Sequence, residues 1–317
     1  MQTNSPGGKG GGLQAPETLV ILNPVAGGGR ADRVWRRLEP KARARLGELL
    51  VRRTSRAGEA ESVARASAHS TALTLVVGGD GTIHEVVNGL LAERDSARLA
   101  VIPAGSGNDF ARNLGMPLSA EAAFDRLGRL EPRRVDVGRC ATPEPESARL
   151  FVNSLSLGVS AQANRVALRL GRAIPGRLRY PLAGFLALLA QGPARYRVSS
   201  AGQLLHQGEV LNLTVANGAS FGAGLLIAPA ARPDDGILDL VLIGPLGRIR
   251  ALRALSRLRR GAHLSQRGIR VVPLRDPVTI TSVAEPGTML LEADGENFSL
   301  AGELSVGILP GRLLLCN

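Results

Sequence analysis

A glycine-rich turn in the first third of the chain carries residue types that suit a phosphate chain. It lies between residues 73–77, an apolar run typical of a buried strand, and residues 83–91, whose apolar positions have helical spacing. Its members are Gly78, Gly79, Asp80, Gly81 and Thr82. Glycine lets backbone N–H groups and the positive helix end approach a phosphate, while Asp80 offers an oxygen ligand to nucleotide-bound Mg²⁺ and Thr82 a hydroxyl. The alternative is an ordinary helix-capping turn, but the position after a strand favours phosphate binding.

Two further loops follow strand-like runs in the same part of the chain. Residues 18–22 lead into Asn23 and then Gly27, and residues 99–102 lead into the loop that contains Ser106 and Asn108. Alternation of strand, loop and helix predicts an α/β domain whose parallel sheet places all three loops at its carboxyl edge, in one pocket. Taken singly, each loop could be only a connection.

The predicted pattern of secondary structure changes near residue 135. Short β-like runs separated by turn residues predict a mostly antiparallel β domain, interrupted by helices near 180–191 and 246–260. The β-like runs lie at 151–157, 195–199, 210–216, 238–243, 269–272 and 278–282. We therefore expect a disordered, glycine-rich leader (1–15), a nucleotide-binding domain (16–135) to which residues 303–317 return, and a β-rich domain (136–302).

Composition restricts the possible partners. Lys and Arg number 39 against 27 Asp and Glu, a formal net charge of +12, so an anionic partner is expected. Aromatic residues are only 3%, which argues against a base-stacking platform, and no nucleic acid is expected. The longest apolar stretch, residues 181–190, has about half of the roughly 20 residues that cross a bilayer. Cys140 and Cys316 lack a disulfide or metal spacing, which fits the cytoplasm.

Two acidic motifs lie in the second half of the chain. Asp294 and Glu296 flank a glycine, and phosphoryl transfer to an alcohol needs a base or a positioning group of this kind. From these residues alone, a surface β-turn is the favoured interpretation. Residues 232–237 form a second acidic turn.

Together these residues resemble the catalytic domain of the diacylglycerol kinase family, in particular the bacterial soluble lipid kinases, with sphingosine and ceramide kinases as relatives. Five motifs in the right order cover nearly the whole chain after the leader. They are Asn23-Pro24 with Gly27, residues 78–85, residues 103–111, residues 228–236, and Asp294-Gly295-Glu296.

The resemblance implies a fold and a set of nucleotide contacts. The fold is an α/β N-terminal domain with a parallel sheet like that of NAD kinase and phosphofructokinase, followed by a mostly antiparallel β-sandwich domain. Ser106 stands where the family usually has Thr, and His84 replaces a common Asn. The implied ATP-site residues are Asn23, Gly27, Thr54, Gly78, Gly79, Asp80, Gly81, Thr82, Glu85, Ser106 and Asn108.

The resemblance also implies catalytic and metal residues. It places the catalytic base at Asp294, with Glu296 as a metal or base partner and Asp80 beside the nucleotide. The turn at residues 232–237 resembles the family's second Mg²⁺ site, in which Asp235 is the side-chain ligand and Arg232 and Ile237 provide backbone oxygens.

We therefore expect an ATP- and Mg²⁺-dependent lipid kinase that converts a lipid alcohol, most simply diacylglycerol to phosphatidate. The alternatives are a kinase of a soluble alcohol such as NAD, and an inactive protein that binds phosphate or membrane.

The expected location is the cytoplasm, at the inner face of the membrane, with a homodimer as a further possibility. Residues 246–260 form a basic amphipathic helix with Ile249, Leu252, Leu255 and Leu258 on one stripe, suited either to anionic headgroups or to packing on the β domain. Residues 181–190 could enter a bilayer, line an acyl-chain cleft or form a core helix.

Overall fold

The computed structural model describes residues 18–129, 131–143, 148–171, 174, 176–283 and 288–317. The predicted leader lies outside these residues. The first part of the chain alternates strands and helices as the sequence pattern predicts. Its elements are β1 (Thr18–Leu22), α1 (Ala26–Leu46), β2 (Leu49–Arg53), α2 (Glu59–Ser67), β3 (Leu73–Gly78), α3 (Asp80–Glu93), β4 (Ala97–Pro103), α4 (Asp109–Asn113) and α5 (Ala120–Arg126).

The N-terminal strands form the predicted parallel sheet. Strand β1 pairs in parallel with β2 and β3, and β3 pairs in parallel with β4. Alternate side chains of β1 enter opposite cores: Leu19 and Ile21 pack with helices α2 and α3, whereas Val20 and Leu22 pack with Trp35 of α1. Burial on both faces explains why these strands are short and continuously apolar. The carboxyl ends of β1, β3 and β4 therefore lie at one edge.

The second part of the chain is mainly antiparallel, as predicted. Its strands are β5 (Arg133–Ala141), β6 (Arg149–Phe151), β7 (Ser154–Gly158), β8 (Ala194–Ser200), β9 (Gln203–Val210), β10 (Asn212–Ala216), β11 (Ser220–Phe221), β12 (Leu225–Leu226), β13 (Leu238–Ile243), β14 (Ile269–Leu274), β15 (Val278–Ser282), β16 (Thr288–Ala293), β17 (Glu296–Ala301) and β18 (Glu303–Leu315). Six of them form one antiparallel sheet in the order β14-β13-β10-β7-β16-β17.

This six-stranded sheet packs face to face on an extension of the N-terminal sheet. The larger sheet runs β2-β1-β3-β4-β18-β15-β8-β9, so antiparallel strands continue directly from the parallel ones. Leu157, Leu213 and Leu291 from the smaller sheet share a core with Val198 and Ile280 from the extension. The fold is thus an α/β domain followed by a β-sandwich, and the two share a sheet.

The last strand, β18, links the two parts. Its residues 313–315 pair in parallel with β4, whereas residues 303–306 pair antiparallel with β15. Along its other edge β18 pairs with β5, with an irregularity between Leu309 and Leu313. Asp136 of β5 accepts a hydrogen bond from the Gly311 N–H at 2.7 Å in this irregular segment.

Three helices pack against the face of the six-stranded sheet opposite the sandwich core, where Val241 and Ile243 of β13 belong to a separate core. The helices are α6 (Val159–Leu170), which the sequence analysis did not predict, α7 (Gly176–Ala190) and α8 (Arg248–Arg257), which is followed by short 3₁₀ turns. In the expected stripe of α8, Leu258 is buried and Leu252 and Leu255 pack on the same core, but Ile249 is 68% exposed. Within the described ranges no helix is long and apolar enough to cross a membrane.

Candidate active site

The turn after β3 and the loop after β4 touch through their glycines. A Cβ atom added to Gly79 would lie 2.8 Å from the Cα of Gly105, so any side chain there would force the loops apart. The Ala104 N–H donates to the Gly78 carbonyl at 2.7 Å. Asn108, at φ +54°, closes the second loop because its Oδ1 accepts the Gly105 N–H at 2.8 Å. The result is a narrow cradle of backbone beside the start of α3.

The loop after β1 completes the same edge. Asn23 Nδ2 donates to the Thr82 hydroxyl at 3.1 Å, which joins the first loop to α3. Gly27 adopts φ +58°, and a Cβ there would collide with the Ala104 carbonyl oxygen. Thr54 is buried beyond β2, and its N–H donates to Leu22 at the end of β1 at 2.9 Å. The structure therefore brings the three loops into one region.

Three other residues expected at the nucleotide have different environments. Both carboxylate oxygens of Glu85 accept hydrogen bonds from backbone N–H groups at the start of α2, those of Gly58 at 3.0 Å and Ala60 at 3.1 Å. Ser106 is exposed at the loop tip. Gly81 faces Glu296, whose Oε1 lies 3.6 Å from the position of a Cβ on this glycine. The Asp-Gly-Glu motif thus lies beside the glycine turn.

Two carboxylates lie close together beside Gly107. A Cβ there would be 3.0 Å from Asp80 Oδ2 and 3.2 Å from Asp109 Oδ2. Asp80 accepts the Phe110 N–H, and Asp109 accepts the N–H groups of Ala223 and Gly224, each at 2.8 to 2.9 Å. Burial, and then the negative charge of Asp109, raises the pKa of Asp80 to about 6. Asp109 therefore joins the loop after β4 to the β11–β12 hairpin.

Asp294 is held by the backbone of the chain segment that enters β7. Its Oδ2 accepts the Val152 N–H at 2.7 Å, and its Oδ1 accepts the N–H groups of Asn153 at 2.8 Å and Ser154 at 3.2 Å. Its side chain is fully buried, and its backbone takes the rare φ of +50°. Such a conformation costs of order 1 kcal/mol or more and persists only where surrounding contacts impose it. The carboxylate is thus fixed at the junction of the two domains.

His84 of α3 completes the contacts of Asp294. Its Nδ1 lies 3.1 Å from Asp294 Oδ2, and because a carboxylate only accepts, Nδ1 is assigned as the donor. Burial lowers the pKa of His84, but the hydrogen bond to Asp294 and the charges of Asp294 and Glu296 outweigh it, so the pKa is raised. His84, which stands where the resemblance implies an Asn, therefore places a second ionisable group in contact with Asp294.

Glu292 is a buried carboxyl group that the sequence analysis did not select. It lies on β16, two residues before Asp294, and accepts a hydrogen bond from the Gly295 N–H. Burial, opposed only by that bond and reinforced by the charge of Asp294, raises its pKa to about 8. Partial desolvation also raises the pKa of Glu296, although this residue is exposed. Glu292 is therefore protonated near neutral pH.

A cavity of about 150 Å³ joins these carboxylates to the helices of the β-sandwich. Asp80, Asp109, Glu292 and Asp294 line one end, with Tyr180 beside them. Apolar side chains from α7, α8 and the neighbouring strands line most of the rest, together with a few polar groups such as Asn164, Asn212 and His263. The apolar side chains include Leu188, Leu211, Leu225, Ile243, Leu255 and Leu258. The cavity therefore has a charged end and an apolar end.

The turn expected to bind a second metal ion lies away from this cavity. Asp235 is exposed, and its Oδ1 accepts the Ile237 N–H at 3.0 Å. Asp136 holds the turn by accepting the Gly236 N–H at 2.8 Å, while Arg232 is exposed. The turn presents a single carboxylate at the surface, where water could complete the coordination of a hard cation.

The charged end fits Mg²⁺ that arrives with a nucleotide. Among the described residues no three His, Cys, Asp or Glu groups form a metal site of their own. Asp80 and Asp109 nevertheless offer oxygen ligands, which Mg²⁺ prefers, and it is usually bound by one or two carboxylates together with substrate phosphates. The Gly79–Gly105 cradle beside them is the backbone surface that phosphates would need.

The architecture is that of a two-domain kinase fold. A solved structure titled as a diacylglycerol kinase from Bacillus anthracis str. Sterne matches with a TM-score of 0.70 at 21% identity, covering 95% of this chain and 96% of that one. An NAD kinase from Archaeoglobus fulgidus in complex with ATP matches with a TM-score of 0.53 at 15% identity, covering 95% and 93%. At these identities the likeness concerns the fold alone.

Sequence comparison defines the family within this fold. Residues 17–140 match the model of the diacylglycerol kinase catalytic domain, and residues 153–317 match that of the YegS C-terminal NAD kinase beta sandwich-like domain. A diacylglycerol kinase of Bacillus subtilis is 30% identical over 82% of this chain and 80% of its own length. The chain belongs to the diacylglycerol kinase catalytic domain family, as its motifs predict.

A second curated relative covers less of the chain. A Pseudomonas aeruginosa (strain PAO1) protein described as "Probable lipid kinase YegS-like" is 34% identical over 62% of this chain. The matched region spans 63% of the length of that relative.

Proposed function

We propose that this protein is an ATP- and Mg²⁺-dependent lipid kinase that transfers the γ-phosphoryl group to a lipid hydroxyl, with diacylglycerol as the simplest substrate. The observation that carries the proposal is the cavity that joins the carboxylates beside the glycine cradle to an apolar interior. A soluble polar alcohol would gain little from contact with the apolar end of the cavity. An acyl chain, by contrast, gains about 0.8 kcal/mol for each CH₂ group that it buries there.

The residues at the charged end divide the work of phosphoryl transfer. ATP would supply the γ-phosphoryl group, and Mg²⁺ would offset the negative charge of the phosphates. The backbone of Gly78, Gly79 and Gly105 would bind the phosphates with the N-terminus of α3, and Asn23 holds Thr82 in place for the same contact. Asp80 and Asp109 would hold the metal ion. Their charges lie buried together, which favours a bound cation.

Asp294 would act on the acceptor. Backbone N–H groups fix both its oxygens, so its position does not depend on the substrate. In the proposed step the acceptor hydroxyl loses its proton to Asp294 as its oxygen bonds to phosphorus and ADP leaves. His84 orients Asp294 through its Nδ1 hydrogen bond, and Glu296 lies near Gly81 at the same junction.

Incubation of the purified protein with γ-labelled ATP, Mg²⁺ and detergent-dispersed lipid extract tests this function. We expect label in the organic phase, in a phosphorylated lipid that chromatography identifies. A parallel reaction supplies NAD in buffer without lipid. Label in NAD and none in lipid would contradict the proposal in favour of a soluble-alcohol kinase, and ATP binding with neither product would indicate an inactive binder.

The surface charge supports a location at a membrane. We propose that the protein contacts the inner face of an anionic membrane from the cytoplasm through its basic residues, since each Arg near such a surface contributes about 1 kcal/mol. We also propose that the turn at residues 232–237 binds a second Mg²⁺ through Asp235, with backbone oxygens of Arg232 and Ile237. The exposed position of the Asp235 carboxylate supports this assignment.

A further inference from the structure

Helix α7 forms the wall between the cavity and the surface. Tyr180, Gly184 and Leu188, spaced four residues apart, line the cavity. Ala183 and Ala187 lie on the same inner face and are fully buried. Because successive residues of a helix are separated by about 100°, these five positions occupy one side. The cavity is thus separated from the outer surface of α7 by one helix diameter, about 10 Å.

The opposite side of α7 is an exposed apolar ridge. Five large apolar side chains lie within about 100° of one another around the helix axis. They are Leu178, Leu182, Phe185, Leu186 and Leu189, with exposed fractions of 57%, 38%, 39%, 37% and 47%. Single exposed leucines need no explanation, but a contiguous stripe along 12 residues of one helix marks an interaction surface. We call these five residues the α7 ridge.

The surroundings of the α7 ridge carry charge of one sign. Residues 159–192 and 244–268, which contain α6, α7, α8 and the 3₁₀ turns, include twelve arginines and neither Asp nor Glu. Since the whole chain has a formal net charge of +12, the remaining residues together carry no net charge. On α8 the arginines point outward: Arg248, Arg250, Arg253 and Arg257 are all exposed. The basic character of the protein therefore belongs to this helical cap.

An apolar stripe inside a field of arginines fits one kind of partner. An anionic bilayer offers acyl chains to the ridge and negative headgroups to the arginines, the combination that holds amphipathic helices at a membrane interface. A second copy of this chain would instead bring arginine-rich surfaces together, and like charges in contact disfavour association. The charge pattern thus favours lipid over self-association.

We propose that the α7 ridge docks on an anionic bilayer, with the arginines of α8 against the headgroups. Substrate then enters the cavity across or beside α7 without passing through water. The docking itself does not depend on turnover, whereas the entry route rests on the proposed lipid kinase function.

Vesicle binding measures the docking without any reaction. The wild-type protein and the double variant Phe185→Ser with Leu189→Ser are mixed with vesicles of 30% phosphatidylglycerol in phosphatidylcholine, and the bound fraction is measured by flotation. We expect wild-type binding that falls with added salt, because salt screens the arginines. The ridge variant should bind at least tenfold more weakly. Leu204→Ser is the matched control, because Leu204 is a 53% exposed leucine on β9, outside the helical cap.

A fluorescence measurement locates the contact. Trp35 is the single tryptophan of the chain and is fully buried in the N-terminal domain. In Phe185→Trp we expect the added emission to shift to shorter wavelength with the anionic vesicles and to be quenched by lipids brominated in their acyl chains. Equal vesicle binding by the wild-type protein and the ridge variant, or no change at this tryptophan, would overturn the proposal. So would light scattering that shows a wild-type dimer and a monomeric ridge variant.

An activity comparison separates the docking from the kinase function. We expect the ridge variant to lose at least tenfold in rate on diacylglycerol embedded in vesicles and to change less than twofold on monomeric dihexanoylglycerol. Equal loss on both substrates would overturn the proposed entry route. If neither protein phosphorylates any lipid, the kinase function fails, while the binding and fluorescence results still decide the docking.

Discussion

The two ends of the cavity are built in different ways. At the charged end, backbone N–H groups from several segments hold the carboxylates: Asp294 contacts the start of β7, and Asp109 contacts the β11–β12 hairpin. At the apolar end, the wall is formed by side chains of two helices, and Gly184 of α7 packs on Leu255 of α8. Hydrogen bonds therefore fix the side chains at the charged end, whereas side-chain packing forms the apolar end.

This difference assigns different tasks to the two ends. Hydrogen-bonded groups tolerate almost no substitution, because a buried N–H without a partner costs about 1 to 3 kcal/mol. Apolar walls accept other apolar residues of similar volume, usually at less than about 1.5 kcal/mol. We therefore expect changes at the charged end to alter the reaction itself and changes at the apolar end to alter which lipids react.

The largest effect is expected from Asp294→Asn. The variant keeps the size of the side chain but cannot take the hydroxyl proton, so kcat for lipid phosphorylation should fall at least about 100-fold, as is usual for loss of a general base. Nucleotide binding, measured by calorimetry, should change little. Asp125→Asn, an exposed aspartate on α5, is the control. Residual activity above a tenth of wild type would remove Asp294 from the base role.

A smaller effect is expected from Asp80→Asn, at the same end. Loss of one carboxylate beside Asp109 should weaken the use of Mg-ATP, with KM for Mg-ATP raised about tenfold, a factor that corresponds to about 1.4 kcal/mol. KM for the lipid should stay within twofold. Initial rates at varied Mg-ATP check this, and unchanged kinetics would contradict the placement of the nucleotide.

At the apolar end we expect selectivity to change. Leu188→Trp puts a larger side chain on the inner face of α7, so kcat/KM for a dioleoyl lipid should fall about fivefold while that for a dihexanoyl lipid stays within twofold. The loss of one or two buried CH₂ groups accounts for this size. Leu204→Trp is the control, because Leu204 is an exposed leucine of β9 that belongs to neither the cavity lining nor the α7 ridge. An equal fall for both lipids would indicate damage to the reaction and would remove the contrast between the two ends.

The smallest expected effect concerns stability. The pKa of Glu292 is about 8 in the folded protein, against about 4.3 in an unfolded chain. Between these two pH values the folded state therefore holds a proton on Glu292 that the unfolded state has released. The stability that this provides is complete below about pH 4 and is lost as pH rises to 8. In Glu292→Gln this pH-dependent loss of stability is absent, because the amide has no proton to release. Its melting temperature without nucleotide should exceed that of wild type by several degrees at pH 8.5, and the gap should shrink towards pH 5. A gap independent of pH would contradict the protonated Glu292.

The sequence was most informative where structure is local. The three strand–loop–helix units of the parallel sheet could be predicted because each depends on neighbouring residues: an apolar run, glycines at the turn and apolar positions at helical spacing. The antiparallel part could be predicted only in outline. Strands β16 and β18 pair with strands that are distant in the sequence. Strands β9 and β17 are edge strands of local hairpins, but most of their residues are not buried, so they lack a continuous apolar run. Helix α6 has a mixed polar sequence that follows directly on β7.

The contacts between site residues, and the buried Glu292 that sequence reasoning missed, depend on tertiary structure. His84 and Asp294 are 210 residues apart and meet only because α3 lies against the hairpin of β16 and β17. Glu292 looks like any acidic residue of a strand until the pairing of β16 with β7 buries it. The backbone N–H groups that donate to Asp109 come from the β11–β12 hairpin, whose short strands have no recognisable pattern in the sequence. Glu85 is the opposite case, a residue that the sequence motif assigns to the nucleotide site. In the structure its carboxylate instead accepts hydrogen bonds from backbone N–H groups at the start of α2.

Strand β18 sets a rule for recombining this chain with its relatives. Since it pairs with β4 of the α/β part and with β15 of the sandwich, it belongs to both halves at once. A chimera with its crossover near residue 141 would combine β4 and β5 from one parent with β18 from the other, and the Asp136–Gly311 hydrogen bond would join the two parents. Exchanging only residues 159–190 and 248–265, which contain α6, α7, α8 and the 3₁₀ turns, leaves all the described strands in one parent. Substrate preference should therefore be transferable between family members by exchanging the helical cap alone.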